Sequence, residues 1–158
     1  MRYQDQVVKV TYKALDDVCR AAMALPAEHQ SWAPQGHARS ALDQMREIAT
    51  QAQLFLPLIR DRAVPDFTGH AMRETMRLRQ SFATVDECAE AARADLASLS
   101  AAIATVPDSV LEMELDLPFG GGMRMTMADI VMLPYWNLVY HLGQINFLQL
   151  MLGDREMH

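Results

Sequence analysis

The sequence of 158 residues is short of the residue types that mark several common classes of protein. It holds 2 cysteines, 7 glycines and 7 prolines, and aromatic side chains make up 7% of it. Cys19 and Cys88 are too few for a disulfide scaffold and too far apart for a zinc knuckle. No apolar run approaches the ~20 residues of a membrane-spanning helix, and the N-terminal residues lack the apolar core of a signal peptide. These absences predict a cytoplasmic protein without a membrane partner.

Charge and size narrow the function classes further. Lys and Arg number 14 against 20 Asp and Glu, which gives a net charge of −6. A nucleic-acid partner is not expected, because phosphate binding needs a basic surface. Hydrophobic residues make up 51% of the chain, and this length suits one domain over 1–158 with one core.

Apolar residues spaced three and four apart predict four long helices. They cover about 4–25, the stretch that follows Ser40, 84–106, and 126–153. Pro57 should kink the second helix or end it early, because proline lacks the backbone donor that the helix needs. A short helix is expected between 64 and 80, with Met72 and Met76 inside and Leu78 as a further candidate for the inward face.

A short hairpin is predicted between the third and fourth long helices. Apolar and acidic residues alternate strictly from Leu111 to Leu117, which is the period of a half-buried strand. A turn over 118–122 would let 123–125 pair back. The fold class is therefore all-α, a four-helix bundle with a small β-hairpin before the last helix. The longest link joins helices two and three, which leaves room for a crossover there.

Polar residues interrupt the apolar stripe of the fourth helix. Asn137, His141 and Gln144 fall within it at 100° per residue. A buried polar group without a partner costs about 1–3 kcal/mol, so these groups need one another, water, the backbone or a metal. A hydrogen-bonded core histidine and a metal ligand are both open interpretations of His141.

Three short stretches resemble the DinB-like superfamily. They are Trp32-Ala33-Pro34, Arg39-Ser40 and the sequence YHLGQI over 140–145. The resemblance implies a four-helix bundle, often a homodimer, with a divalent metal held by three histidines. One ligand lies about seven residues after the opening serine, and two form an HxxxH on the last helix.

The ligand positions of that superfamily fall on Glu47, Asn137 and His141, so only one imidazole is kept. Carboxylate and amide oxygens suit Mg²⁺ or Mn²⁺, whereas Zn²⁺ and Ni²⁺ prefer three imidazoles. The resemblance therefore implies a degenerate site for a divalent metal. Two alternatives stay open: a metal-free hydrogen-bonded cluster of the three residues, or a solvated Glu47.

The resemblance implies a metal-dependent enzyme. The more specific function that it implies is a thiol-dependent transferase or isomerase, with a small molecule or thiol as substrate. The competing hypothesis is a non-catalytic dimeric bundle that has lost its metal site and binds a small molecule or has a structural role. His29 and His37, in the loop after the first helix, are weaker candidates for the mouth of a pocket.

Overall fold

The computed structural model describes residues 1–118 and 121–158, and helices dominate it. The α-helices are α1 (Tyr3–Ala24), α2 (Ala41–Ile48), α3 (Gln51–Leu56), α4 (His70–Ser81), α5 (Val85–Thr105) and α6 (Met127–Met151). The strands are β1 (Glu114–Leu117) and β2 (Met123–Thr126). This architecture confirms the predicted fold class of a helical bundle with a hairpin before the last helix.

The second predicted helix is interrupted earlier than expected. α2 and α3 are separated at Ala49–Thr50, ahead of Pro57. The Thr50 hydroxyl donates to the carbonyls of Arg46 and Glu47, at 3.1 and 3.2 Å, so it competes for carbonyls of the last turn of α2. Pro57 then opens a π-helical turn over Pro57–Asp61, because its missing N–H leaves the α-helical ladder incomplete.

α4 differs from its prediction in the face that it buries. Thr75 is its buried residue, whereas Met76 and Leu78 are exposed and Met72 is half-buried. The prediction that Met76 and Leu78 lie inside is therefore wrong. α4 makes few contacts with the bundle, so a short apolar pattern was not enough to identify its inward face.

The hairpin forms, but its first strand begins later than the alternating pattern suggests. β1 pairs antiparallel with β2 from Glu114↔Thr126 to Leu117↔Met123. Leu111 and Met113 lie before the ladder, and their carbonyls accept from the first two residues of α6. They therefore fix the start of that helix. Phe119 and Gly120, in the predicted turn, lie outside the described residues.

Contacts between the helices define a crossover topology. α1 packs against α5 and α6, and α2 packs against the same two helices. Gln149 donates to Ala21 and Tyr3 donates to Ala128, so α1 and α6 run parallel. Gln4 donates to Val106, so α5 runs antiparallel to α1.

His141 contacts Gln44 in α2, and Asn137, one turn earlier, contacts Gln51 at the start of α3, so α2 and α3 run antiparallel to α6 and therefore parallel to α5. Two parallel helices need a long link between them, and α4 lies in that link. The crossover that the loop lengths allowed is thus the one present. No helix in the described parts of the chain is long and apolar enough to cross a membrane.

Candidate functional site

His141 lies at the centre of the bundle, on the face of α6 that meets α2, and is fully buried. Its Nδ1 is 3.1 Å from Oε1 of Gln44. The Gln44 amide is oriented by its own Nε2, which donates to the carbonyl of Arg39. An amide oxygen only accepts, so the proton of the neutral imidazole is on Nδ1. Nε2 therefore carries a lone pair.

Glu47 faces that lone pair. Its Oε1 is 3.3 Å from Nε2 of His141. The pair lacks the alignment of a hydrogen bond, and Nε2 has no hydrogen-bond partner among the residues that the structure describes. A carboxylate oxygen and an imidazole lone pair at this distance repel each other unless a cation lies between them. That cation is either a proton, which makes an imidazolium, or a metal ion.

The second oxygen of Glu47 is held by arginines. Nη1 of Arg39 lies 2.7 Å from Oε2, and Nη1 of Arg79 lies 3.6 Å from it. Arg39 also pairs with Asp43 through Nε at 2.5 Å. His141 with a proton on Nε2, and then the Arg39 guanidinium, lower the pKa of Glu47 to about 2, against the opposing effect of burial. Glu47 is thus an ionised, half-buried carboxylate and not a solvated one.

Asn137 lies one helical turn from His141 and meets a different partner. Its Nδ2 donates to Oε1 of Gln51 at 3.3 Å. Gln51 is buried, and its Nε2 has no hydrogen-bond partner in the described structure. The structure therefore brings Glu47 and His141 together. It places Asn137 one helical turn earlier on α6, where its partner belongs to α3.

The donor atoms can be compared with what a divalent metal requires. Two ligands of one ion, each bound at about 2.0–2.2 Å, lie roughly 3–3.5 Å apart, and the Glu47–His141 contact falls in this range. The bond from Nδ1 to Gln44 is the kind that fixes a metal-binding histidine. No group of three His, Cys, Asp or Glu side chains converges within 1–118 and 121–158, so further ligands must be amide oxygens or water. Glu47 and His141 therefore fit a divalent ion whose remaining ligands are amide oxygens or water.

A groove of about 490 Å³ opens beside this cluster, between the start of α2 and the outer side of α6. Its polar lining includes His37, Arg39, Gln44 and Gln144, and its apolar walls include Tyr140 and Phe147. Gln144, expected in the apolar stripe, is half-exposed here. A second groove of about 460 Å³ lies between α3 and α4 and contains no residue of the cluster. The first groove is thus lined by Arg39 and Gln44, which contact the Glu47–His141 pair, but not by Glu47 or His141 themselves.

The sequence reasoning missed four residues of this cluster. Gln44 and Gln51 stand three before and four after Glu47, a spacing that puts all three on one helical face. That spacing could have identified them. Arg39 was noted only as part of a motif. Arg79 comes from α4, and no local pattern relates it to Glu47.

No protein-family model matches the chain, and no curated protein matches its sequence. Solved structures do match. YfiT from Bacillus subtilis, described as a probable metal-dependent hydrolase with an unusual four-helix bundle topology, aligns with a TM-score of 0.74 at 13% identity, over 96% of this chain and 88% of YfiT.

Two further structures are similar. The DinB-like protein YjoA from Bacillus subtilis aligns with a TM-score of 0.67 at 18% identity, over 97% of this chain and 96% of YjoA. A variant of the mycothiol-dependent maleylpyruvate isomerase aligns with a TM-score of 0.66 at 10% identity, over 90% of this chain. The chain spans 60% of that isomerase. The chain therefore has the four-helix bundle fold of the DinB-like proteins, as the sequence resemblance predicted.

Proposed function

We propose that the protein is a metal-dependent enzyme of the DinB-like type, in which Nε2 of His141 and Oε1 of Glu47 bind one divalent ion. The observation that carries the proposal is the pair itself: a buried lone pair and an ionised carboxylate oxygen 3.3 Å apart. An ion between them would remove their repulsion. Asn137 would complete the set through its amide oxygen, in keeping with the resemblance.

When bound, such an ion polarises a water or a low-molecular-weight thiol and lowers its pKa, which supplies the nucleophile. The residues of this chain do the rest. Gln44 holds the imidazole in the tautomer that presents Nε2 inward. Arg39 and Arg79 hold Glu47 in place, and because Asp43 and Glu47 balance the two guanidinium charges, a bound divalent ion would leave the site positive. A small anionic substrate in the groove would be attracted by that charge.

Metal binding to purified protein without a histidine tag tests the proposal. After treatment with a chelator, we expect Mn²⁺, Ni²⁺ or Zn²⁺ to bind one ion per chain. At a free metal concentration about 100 times the dissociation constant, the stabilisation would be about 2.7 kcal/mol. Calorimetry measures the number of ions bound per chain, and thermal unfolding measures the stabilisation. Absence of both stoichiometric binding and a thermal shift for every ion would refute the proposal.

Variants locate the ion. His141→Gln keeps a polar group of similar size, so we expect folded protein, by circular dichroism, that has lost the metal-induced shift. Glu47→Gln should weaken binding strongly as well. The matched control is His37→Gln, because His37 is an exposed histidine of the same groove and is not part of the pair. An equal loss of binding in the control would place the ion elsewhere.

One observation favours the competing candidate, a bundle without a catalytic metal. Two guanidinium groups already lie within 4 Å of Glu47, and a protonated His141 would provide the missing cation. In that case Glu47→Gln and His141→Gln lower stability by similar amounts with and without added metal. The metal titration described above separates the two candidates, because only the first predicts a metal-dependent difference between wild type and variants.

A further inference from the structure

The groove between the start of α2 and the outer side of α6, here called the α2–α6 groove, has an aromatic wall on each side of a glycine. Tyr140 lies three positions before Gly143 and Phe147 four after it, so the three residues share one face of α6. Both aromatic side chains line the groove, and they are 63% and 59% exposed. They are attached about 10 Å apart along the helix axis, which leaves a gap over Gly143.

Nothing in the packing of this chain accounts for Gly143. A Cβ at this position would meet no atom of the described residues within 4 Å. The backbone of Gly143 is that of the surrounding helix, without a positive φ. A glycine inside a helix lowers stability compared with alanine, because it loses more conformational freedom on folding. The missing side chain therefore keeps the gap between Tyr140 and Phe147 open.

The polar side of the α2–α6 groove has hydrogen-bond donors to spare. Arg39 donates from Nε, Nη1 and Nη2 to Asp43 and Glu47, which uses three of its five N–H groups and leaves two. Gln144 and His37 also line the groove, and neither side chain has a hydrogen bond within residues 1–118 and 121–158. No Asp or Glu is among the described lining residues. A ligand that fits this side carries acceptor oxygens.

The side of the groove that α6 provides is uncharged, because no Asp, Glu, Lys or Arg occurs between Asp129 and Asp154. The groove thus joins an apolar aromatic wall to a polar end, and its volume of about 490 Å³ lies in the usual range of small-molecule pockets, roughly 300–1,000 Å³. The groove between α3 and α4 has a similar volume, but its described lining contains no aromatic side chain and includes Asp66 and Glu74. It does not offer this combination.

We propose that the α2–α6 groove binds a planar aromatic carboxylate, with its ring over Gly143 between Tyr140 and Phe147 and its carboxylate at Arg39. Aromatic rings stack or meet edge to face, which stabilises a flat ligand beyond the area that it buries. The two remaining N–H groups of Arg39 can donate to the carboxylate oxygens. That this ligand is the substrate rests on the proposed function. Its binding in the groove does not, because neither Glu47 nor His141 lines the groove.

The α2–α6 groove adjoins the Glu47–His141 pair through its own lining. The ring of Tyr140 meets the ring of His141 edge to face, with centroids 5.4 Å apart and an interplanar angle of 74°. Gln44 accepts from His141, and Arg39 donates to Glu47. A ligand in the groove would therefore contact the side chains that orient both members of the pair.

Titration of ¹⁵N-labelled, chelator-treated protein with 2-naphthoate, followed through the amide chemical shifts, tests the groove. We expect one saturable site with a dissociation constant of about 1 mM or lower, the affinity of a ligand with about a dozen non-hydrogen atoms. The largest shifts should fall on residues 37–39 and 140–147. Decahydro-2-naphthoate keeps the carboxylate but is not flat, and 2-naphthalenemethanol keeps the ring but lacks the carboxylate. Each should bind about fivefold more weakly.

A substitution at Gly143 locates the ring. Gly143→Leu fills the gap and should weaken binding of 2-naphthoate at least tenfold, while the melting temperature rises by about 2–4 °C because leucine favours the helix. The rise separates loss of the site from loss of the fold. The matched control is Asn146→Leu, at an exposed position of the same helix outside the groove, which should bind like wild type.

Four results would overturn the inference. They are no saturable shifts at about ten times the expected dissociation constant, the largest shifts in the groove between α3 and α4, equal affinities for the three compounds, and equal affinities of the Gly143→Leu and Asn146→Leu variants. A second copy of this chain is the other occupant to test. Sedimentation that shows a dimer, together with no binding of 2-naphthoate, would also overturn the inference. Because the protein is free of metal throughout, a failure here is distinct from a failure of the metal titration.

Discussion

Asp95 lies in α5, and its carboxylate has few interactions that compensate the cost of its burial. Its Oδ2 is buried and has no hydrogen-bond partner in the described part of the chain. Burial raises the pKa of Asp95, because desolvation disfavours the charged form. The folded state therefore binds this proton more tightly than the unfolded chain does. The resulting stabilisation is present below the unfolded pKa of about 3.9 and is lost as the pH rises through the folded pKa.

We expect Asp95→Asn to raise the melting temperature at pH 7 by about 1–3 °C, since it removes the buried charge. The difference from wild type should shrink as the pH falls to about 4 and below, where the wild-type carboxyl is also neutral. Thermal unfolding followed by circular dichroism from acid to neutral pH measures this. Glu90→Gln, at an exposed position of the same helix, should show no such pH-dependent gain. A gain that persists in acid, below the pKa of the unfolded carboxyl, would contradict the explanation.

Single residues of the site were predictable only where one helix holds the signal. His141 stood out because an imidazole in an apolar stripe needs a partner, and the structure supplies Gln44 and Glu47. That Glu47 is half-buried and faces His141 could not be read from α2, because its arginine partners come from outside that helix. Arg79 approaches from α4, whose position depends on the crossover link.

Helix ends were the most predictable elements. Ser40, Thr84 and Thr126 each accept from the backbone N–H three residues later, as their positions before apolar runs suggested. The break at Ala49–Thr50 was not predictable, because the hydroxyl of Thr50 could equally have pointed to solvent. The late start of β1 has a similar cause, since the alternating pattern continues into residues whose carbonyls bond to α6 instead.

Thr126 is the cap on which the entry into α6 depends. Its hydroxyl accepts from the Asp129 N–H at 3.2 Å and donates to the Asp129 carboxylate at 2.7 Å. Because the same residue ends β2, it couples the hairpin to the helix that carries His141.

We expect Thr126→Ala to lower the free energy of unfolding by about 1 kcal/mol, the usual value of an N-cap. Thr126→Ser keeps the hydroxyl and should lie within a few tenths of a kcal/mol of wild type. Urea unfolding of the three proteins measures the difference. Equal losses in both variants would assign the effect to the methyl group and not to the cap.

At the scale of the whole molecule, the start of the chain holds the end of α5. The buried amide of Gln4 donates to the Val106 carbonyl and to Asp108, both at 2.8 Å. Arg2 donates to the carbonyls of Ala104 and Val106. These bonds satisfy carbonyls that a helix end leaves without partners, and they join segments far apart in sequence.

Gln4→Ala should destabilise the protein by about 1–3 kcal/mol, because it removes the two bonds of the Gln4 amide, to the Val106 carbonyl and to Asp108, while Arg2 keeps its own bond to Val106. Gln6→Ala is a suitable control, since Gln6 is exposed on the same helix and should change stability by less than about 0.5 kcal/mol. Chemical denaturation gives both values. Similar losses for the two variants would mean that helix propensity, and not the bonds of Gln4, sets the cost.

The bundle was predictable from periodicity and loop lengths, because four amphipathic stripes have few ways to bury their apolar faces. The direction of each helix could not be predicted from the sequence. It is fixed by contacts such as Gln149–Ala21, between residues far apart in sequence.

The uncharged stretch of α6 has a practical consequence for mapping the protein by proteolysis. Trypsin cuts after Lys and Arg, and no such residue lies between Arg124 and Arg155. The last two residues of β2 and the whole of α6 are therefore released as one peptide, 125–155. That peptide carries both Asn137 and His141. One mass-spectrometric fragment thus reports modification or deuterium uptake for the part of the site that α6 provides.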